Sequence, residues 1–152
     1  MGVGKSGDPI EIGKKTLTQI TGKKPNERNA KKSQRDWGVR KGEPIGVAVT
    51  VRGNDAAELL KKLLAAKDNQ IMGKAFDNEG NASFGIKEHI DIPGIKYDPK
   101  IGILGLEVSI SLVRPGFNIK LGKHKAKIGK NHRITKNDAT KFLTEEFGVK
   151  IA

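Results

Sequence analysis

Residues 30–43, AKKSQRDWGVRKGE, set the chain's single tryptophan, Trp37, among five cations and two acids. A large aromatic ring in that company suits stacking on a nucleotide, while Lys31, Lys32, Arg35, Arg40 and Lys41 track phosphate. Ser33 and Gln34 lie in the same run. So few apolar residues are present that the run should project as a loop between two strands. The plainer alternative is a solvated hairpin whose Trp37 folds back onto its own strands. A second basic stretch, residues 114–136, holds eight Lys/Arg and no acid, including Arg114, Lys120, Lys123, Lys125, Lys127, Lys130 and Arg133. Its glycine spacing and lack of acids fit an extended segment that orders against RNA, with salt-dependent binding. The plainer alternative there is a solvated surface ribbon.

Other motifs point to less. Gly2-Val3-Gly4-Lys5-Ser6 imitates the close of a phosphate loop, but that pattern's first glycine would fall before Met1. A true phosphate loop also runs directly into its helix, whereas Gly7 and Pro9 intervene here. A tight strand-to-helix turn accounts for the glycines, and its backbone N–H groups could still meet an RNA phosphate. Glu88-His89-Ile90-Asp91 would, if extended, put His89 and Asp91 on one face. No nucleophile or oxyanion donor accompanies them, so a structural histidine is expected in place of an acid–base pair. His124 and His132 sit among lysines, which disfavours a metal site. No catalytic residue, cofactor or metal is expected.

The 152 residues carry a net charge of +12, and the excess is local. Residues 23–42 hold eight Lys/Arg against two acids, which together with residues 114–136 leaves the remainder close to neutral. A basic stripe on a near-neutral body is the footprint of a polyanion partner. An anionic membrane is disfavoured because no basic amphipathic helix or lipidation signal accompanies the charge. The absence of cysteine removes disulfides and thiol chemistry and fits a reducing cytosol. No apolar run approaches the roughly 20 residues of a membrane span, and the N-terminus lacks a signal peptide's apolar core. A soluble, intracellular protein is the expectation.

Several elements must position these stretches. Asp8 and Pro9 suit the start of a helix over residues 9–21, with Ile10, Leu17 and Ile20 on one side and Gly22 ending it. Residues 24–32 are polar and extended, and residues 44–52 alternate as a strand. Asn54 caps a second helix over residues 55–67, with Ala56, Leu59, Leu60, Leu63 and Leu64 as its apolar stripe. Residues 71–76 and 82–86 read as a hairpin around the turn at 77–81. Residues 104–114 form a further strand. Thr135 caps a final helix to Phe147, with Asp138 in a capping box and Ala139, Phe142, Leu143 and Phe147 facing inward. The result is an α+β fold: one antiparallel sheet packed on one face by helices, with a long basic hairpin loop and a basic C-terminal extension. The length suits a single domain over residues 1–152.

Five runs carry a resemblance: GVGKSG at 2–7, TGKKP at 21–25, AKKSQRDWGVRKGEPIGVAVTVRG at 30–53, FGIKEHIDIPGIKYDPKIGILGLEVSISLVRPG at 84–116, and HRITKNDATKFLTEEFGV at 132–149. Together they resemble, in order and over essentially the full chain, the archaeal form of the large-subunit ribosomal protein five family. That family binds 5S rRNA in the central protuberance. The resemblance implies a non-catalytic, cytoplasmic, ribosome-bound protein with a sheet surface that clamps 5S rRNA. Gly2, Lys23, Thr50 and Arg52 fall at positions matching the family's RNA-facing ones. It further implies that the 30–43 loop reaches the peptidyl-site tRNA. The implied neighbours are a large-subunit protein eighteen homologue, a helix of the large-subunit rRNA, and small-subunit protein thirteen across the intersubunit bridge.

Two departures stand out. The family pattern has a strand ending in an asparagine just before the position of Met1, so a sheet edge without it is expected to be unpaired. Lys23 stands where a glutamine is usual, exchanging a directional donor–acceptor for a point charge. Thr50 and Arg52 alternate onto one strand face, with Val49 and Val51 turned inward. An RNA-binding regulator outside the ribosome is the alternative that the same fold would allow.

Overall fold

The computed structural model describes residues 1–4, 7–99, 101–123 and 126–152. It is α+β. In chain order come α1 (Asp8–Thr21), β1 (Asn26–Asn29), β2 (Pro44–Ala48), α2 (Asn54–Ala65), β3 (Gln70–Ile71), β4 (Ala82–Ile86), β5 (Leu106–Ile110), α3 (Asn118–Leu121), α4 (Lys136–Phe147) and β6 (Lys150–Ile151). Among the described residues the strands form three two-stranded pairs, β1 with β2, β3 with β6, and β4 with β5, where one continuous sheet was expected. The chain divides into two compact units. One comprises Met1–Ala66 and Gly85–Glu107, the other Lys67–Phe84 and Val108–Ala152.

In the first unit, apolar side chains at helical spacing build the core. Ile10 and Leu17 of α1 are buried with Val47 of β2, and Met1, Val3 and Val49 pack against them. Gly13 lets the helix lie close to the strand, since a Cβ there would sit 3.5 Å from Val47 Cγ2. The buried Thr16 hydroxyl donates to the Ile12 carbonyl at 3.0 Å, so no polar group is stranded in that core. Gly7, at φ 99°, occupies the N-cap with no side-chain cap, and Asp8 lies inside the first turn, one residue later than expected. Its carboxylate still suits the positive end of the helix. The β1–β2 pair is antiparallel, with Asn26 opposite Ala48. Residues 1–4 line the other edge of β2: Met1 and Val47 exchange hydrogen bonds, Val3 N–H donates to Ile45 O at 2.9 Å, and Gly2 bridges Gly46. β2 therefore has partners on both sides, which corrects the expected unpaired edge at this strand.

α2 begins after Gly53, at φ 72°, with Asn54 inside the helix, and it ends at Ala65. Asp68 and Asn69 follow in the left-handed region, which these residue types tolerate better than most. Leu63 and Leu64 are buried, while Ala56, Leu59 and Leu60 are half-buried.

In the second unit, β3 pairs in parallel with β6, Gln70 opposite Lys150 and Ile71 opposite Ile151. The expected 71–76 strand is thereby cut short. After Ile71 the chain enters a 3-10 turn at Gly73–Ala75, and one bridge, Phe76 to Ala82, survives of the hairpin. The turn itself forms as expected, since the Asp77 carboxylate accepts from Glu79 N–H, Asn81 N–H and the Asn81 side-chain amide. α4 carries the full capping box between Thr135 and Asp138. Ala139 and Leu143 are fully buried, but Phe142 is 44% exposed, edge-on to Phe147 at 6.0 Å. The i, i+4 pair points inward and Phe142 flanks it. Residues 117–133 are not uniformly extended, because they contain α3 and a 3-10 turn at Lys130–His132.

Candidate nucleic-acid interface

The 30–43 loop is anchored at its base and open at its tip. Ala30 is buried; its N–H donates to Glu43 O at 2.8 Å, and Gly42 N–H returns to Ala30 O at 2.9 Å. Gln34 and Val39 exchange backbone hydrogen bonds around a 3-10 turn at Arg35–Trp37, which Gly38 closes at φ 64°. Ser33 Oγ accepts from Lys41 N–H at 3.0 Å and the Glu43 carboxylate accepts from Arg40 N–H at 2.9 Å. These braces occupy the backbone and leave the cationic heads outside. Lys31, Lys32, Ser33, Gln34, Arg35, Arg40 and Lys41 are all exposed, and Trp37 is 77% exposed. The tryptophan does not fold back onto the strands. Sequence reading singled out the cations; it missed the bracing roles of Ser33 and Glu43, which depend on the loop's closure.

Lys23, Thr50 and Arg52 gather around one end of the β1–β2 pair. In the antiparallel register, residues before Asn26 run alongside residues after Ala48. β2 stops at Ala48, short of the expected strand end, yet the anticipated alternation persists: Thr50 and Arg52 are exposed, and Val49 and Val51 are half-buried. Lys23 Nζ lies 2.7 Å from Asp55 Oδ2 in the first turn of α2. The hydrogen bond and charge of Lys23 hold the Asp55 carboxyl below its usual range. The ion pair thus tethers the end of α1 to the segment bearing Arg52. Gly2 is exposed but lies against Gly46, at the opposite end of β2 from that group. Lys14, by contrast, is engaged by Glu11 and Glu27, whose hydrogen bonds raise its pKa.

In the C-terminal basic stretch, the two arginines are fixed to the backbone. Arg114 Nη1 donates to Asn131 O at 3.3 Å, and Arg133 Nε donates to Ile128 O at 3.2 Å. Lys120 reaches Glu79 at 3.2 Å and lies over the Phe117 ring, 5.5 Å from its centroid. Lys123, Lys127 and Lys130 are exposed. Lys125 and His124 lie outside the described residues, as do Lys5 and Ser6 of the glycine-rich N-terminus. His132 Nε2 lies 2.8 Å from Pro115 O. Sequence reading treated this stretch as poor in apolar groups and overlooked Phe117 and Leu121, whose i, i+4 spacing was the available signal.

His89 is fully buried, in a 3-10 turn, while Asp91 is exposed. The imidazole Nδ1 accepts from Leu104 N–H at 3.3 Å, and His89 N–H donates to Leu104 O at 3.0 Å. That is a structural histidine joining two backbone segments, and the two side chains do not share a face.

The comparisons with known proteins agree with this charge pattern. The model for the C-terminus of the ribosomal protein uL5 family matches residues 44–150. The chain belongs to that family. It is 65% identical to the large ribosomal subunit protein uL5 of Nitrosopumilus maritimus (strain SCM1), covering 100% of this chain and 88% of that protein. Its identity to the protein of the same name from Cenarchaeum symbiosum (strain A) is 59%, over 99% of this chain and 90% of the relative. For that of Sulfolobus acidocaldarius the identity is 47%, with 99% and 85% covered. The chain is accordingly a ribosomal protein of the large subunit, with archaeal relatives, and a structural component as opposed to an enzyme. No helix among the described residues is long and apolar enough to cross a membrane.

Proposed function

We infer that this chain is a structural constituent of the large subunit, acting as one RNA-binding domain, that binds 5S rRNA through Gly2, Lys23, Thr50 and Arg52. Its 30–43 loop contacts the peptidyl-site tRNA, and the basic stretch from Arg114 to Arg133 meets large-subunit rRNA. A protein eighteen homologue and small-subunit protein thirteen are its protein neighbours. The observation that carries the reading is the loop tip: an exposed Trp37 flanked by exposed cations on a backbone-braced turn. Hydrophobic burial would have hidden that ring had it served the protein's own core. A ring held in solvent beside phosphate-seeking cations suits stacking on another molecule.

The test separates the two surfaces. Trp37→Ala combined with Arg35→Ala should leave 5S rRNA affinity nearly unchanged and weaken tRNA accommodation in reconstituted subunits. An equal loss of 5S affinity would assign the loop to the main interface. Arg52→Ala should weaken 5S binding by about 1–3 kcal/mol, the range for good specific nucleic-acid contacts. Unchanged affinity at physiological salt would remove Arg52 from the site.

A further inference from the structure

A groove of about 980 Å³ opens in the second unit, beside α3. Its walls include Val113, Phe117, Leu121, Ile128 and Ile134. Leu121 is 68% and Val113 53% exposed, so apolar surface faces solvent in the most cationic part of the chain. The rim carries Arg114, Lys127, Lys130 and Arg133, and the two arginines are already fixed to backbone carbonyls. Glu79 is the one acid lining the groove among the described residues, and Lys120 neutralises it. The same Lys120 covers the Phe117 ring, the position that a stacked base takes in single-strand binders.

We propose that this groove receives an unstacked nucleotide of a single-stranded RNA segment, its base on Phe117 and Leu121 and its flanking phosphates on the rim cations. The proposal rests on the RNA-binding reading above and adds a base-holding site to it. An apolar floor alone would suit a protein helix. A cation-only rim around it matches a ligand that is both flat and polyanionic, and the volume lies in the range of pockets that enclose a compact organic ligand. Binding displaces Lys120 from the ring toward phosphate and leaves Glu79 unpaired at the edge.

The experiment uses the full chain and fluorescence anisotropy with labelled oligouridylate of about ten nucleotides and an abasic strand of equal length. Base stacking predicts roughly fivefold or greater preference for the base-bearing strand. Val113→Ser with Leu121→Ser, both at exposed positions, should erase that preference while circular dichroism stays unchanged, and Phe117→Trp should retain it. Glu79→Gln should strengthen the base-bearing strand more than the abasic one. Equal affinity for the two strands overturns the proposal, as does an acidic decapeptide that displaces the oligonucleotide at similar concentration, which would make the groove a protein-docking face. Retention of 5S rRNA by the same variants is measured in parallel. Its loss in the unmodified chain would defeat the 5S reading, whereas its persistence without a base preference defeats the groove alone.

Discussion

The two basic regions carry similar charge and hold it differently. In the 30–43 loop the braces act on the backbone, and the cations and Trp37 extend into solvent. In residues 114–133 the arginine side chains are themselves the braces, the aromatic ring is half-buried under a lysine, and apolar side chains wall a groove. Side chains left free keep rotamer entropy that binding must remove, whereas fixed ones have lost it on folding. The loop is therefore built to meet a partner that comes and goes, and the C-terminal region to hold one geometry. Charge attracts RNA to both; preorganisation separates their roles.

The comparison breaks most visibly at glycine. Gly80 adopts φ +76°, and a Cβ there would lie 2.6 Å from Ile134 Cγ2 and 3.3 Å from Thr135 O. Gly80→Ala should cost about 2–5 kcal/mol in denaturant unfolding, combining left-handed strain with overpacking, and should disorder the groove. Its counterpart in the loop, Gly38 at φ +64°, has nothing within 4 Å of the added methyl. Gly38→Ala should cost about 1–2 kcal/mol from strain alone, so equal costs would show that the groove side is not tightly packed.

A smaller effect concerns the cap that ends the groove region. Thr135→Ala removes the acceptor of Asp138 N–H and should destabilise by about 1 kcal/mol, read by thermal or urea melts. For RNA binding, Lys31→Ala with Lys32→Ala, and separately Lys127→Ala with Lys130→Ala, should each flatten the log–log salt dependence by about one unit per lysine that meets phosphate. A flattening confined to one pair would show that the other region carries no phosphate contact.

The smallest effect is electrostatic. Hydrogen bonds from the Thr135 backbone and hydroxyl hold the Asp138 carboxyl below its ordinary value, with Arg114 adding a lesser pull. A carboxyl with a lowered folded-state pKa contributes stability that is complete above its unfolded value, near about 4, and that is lost as pH falls through the folded value. The acid limb of the stability curve should therefore be shallower in Asp138→Asn. An unchanged limb would mean that the cap does not depend on the ionised form.

Much of this was legible from residue order alone because it depends on near neighbours in the chain. The α1, α2 and α4 stripes, the capping box at Thr135 and Asp138, the Asp77 turn and the two cationic stretches are all set by spacings of a few residues. What needed the tertiary structure was every choice of a distant partner. Ile71 reads locally as the start of a hairpin strand, but β6 at the far end of the sequence pairs with it in parallel. Residues 1–4 read as a strand's tail, and β2 supplies them a neighbour. Phe142 fits an inward stripe by periodicity, yet the buried surface is claimed by Ala139 and Leu143. The groove lined by Phe117, Leu121 and Ile134 joins residues whose separation in sequence carries no periodic signal. Backbone hydrogen bonds between adjacent turns and caps form wherever the local letters permit, whereas burial is a competition among all apolar surfaces at once, and its outcome exists only after the chain has folded.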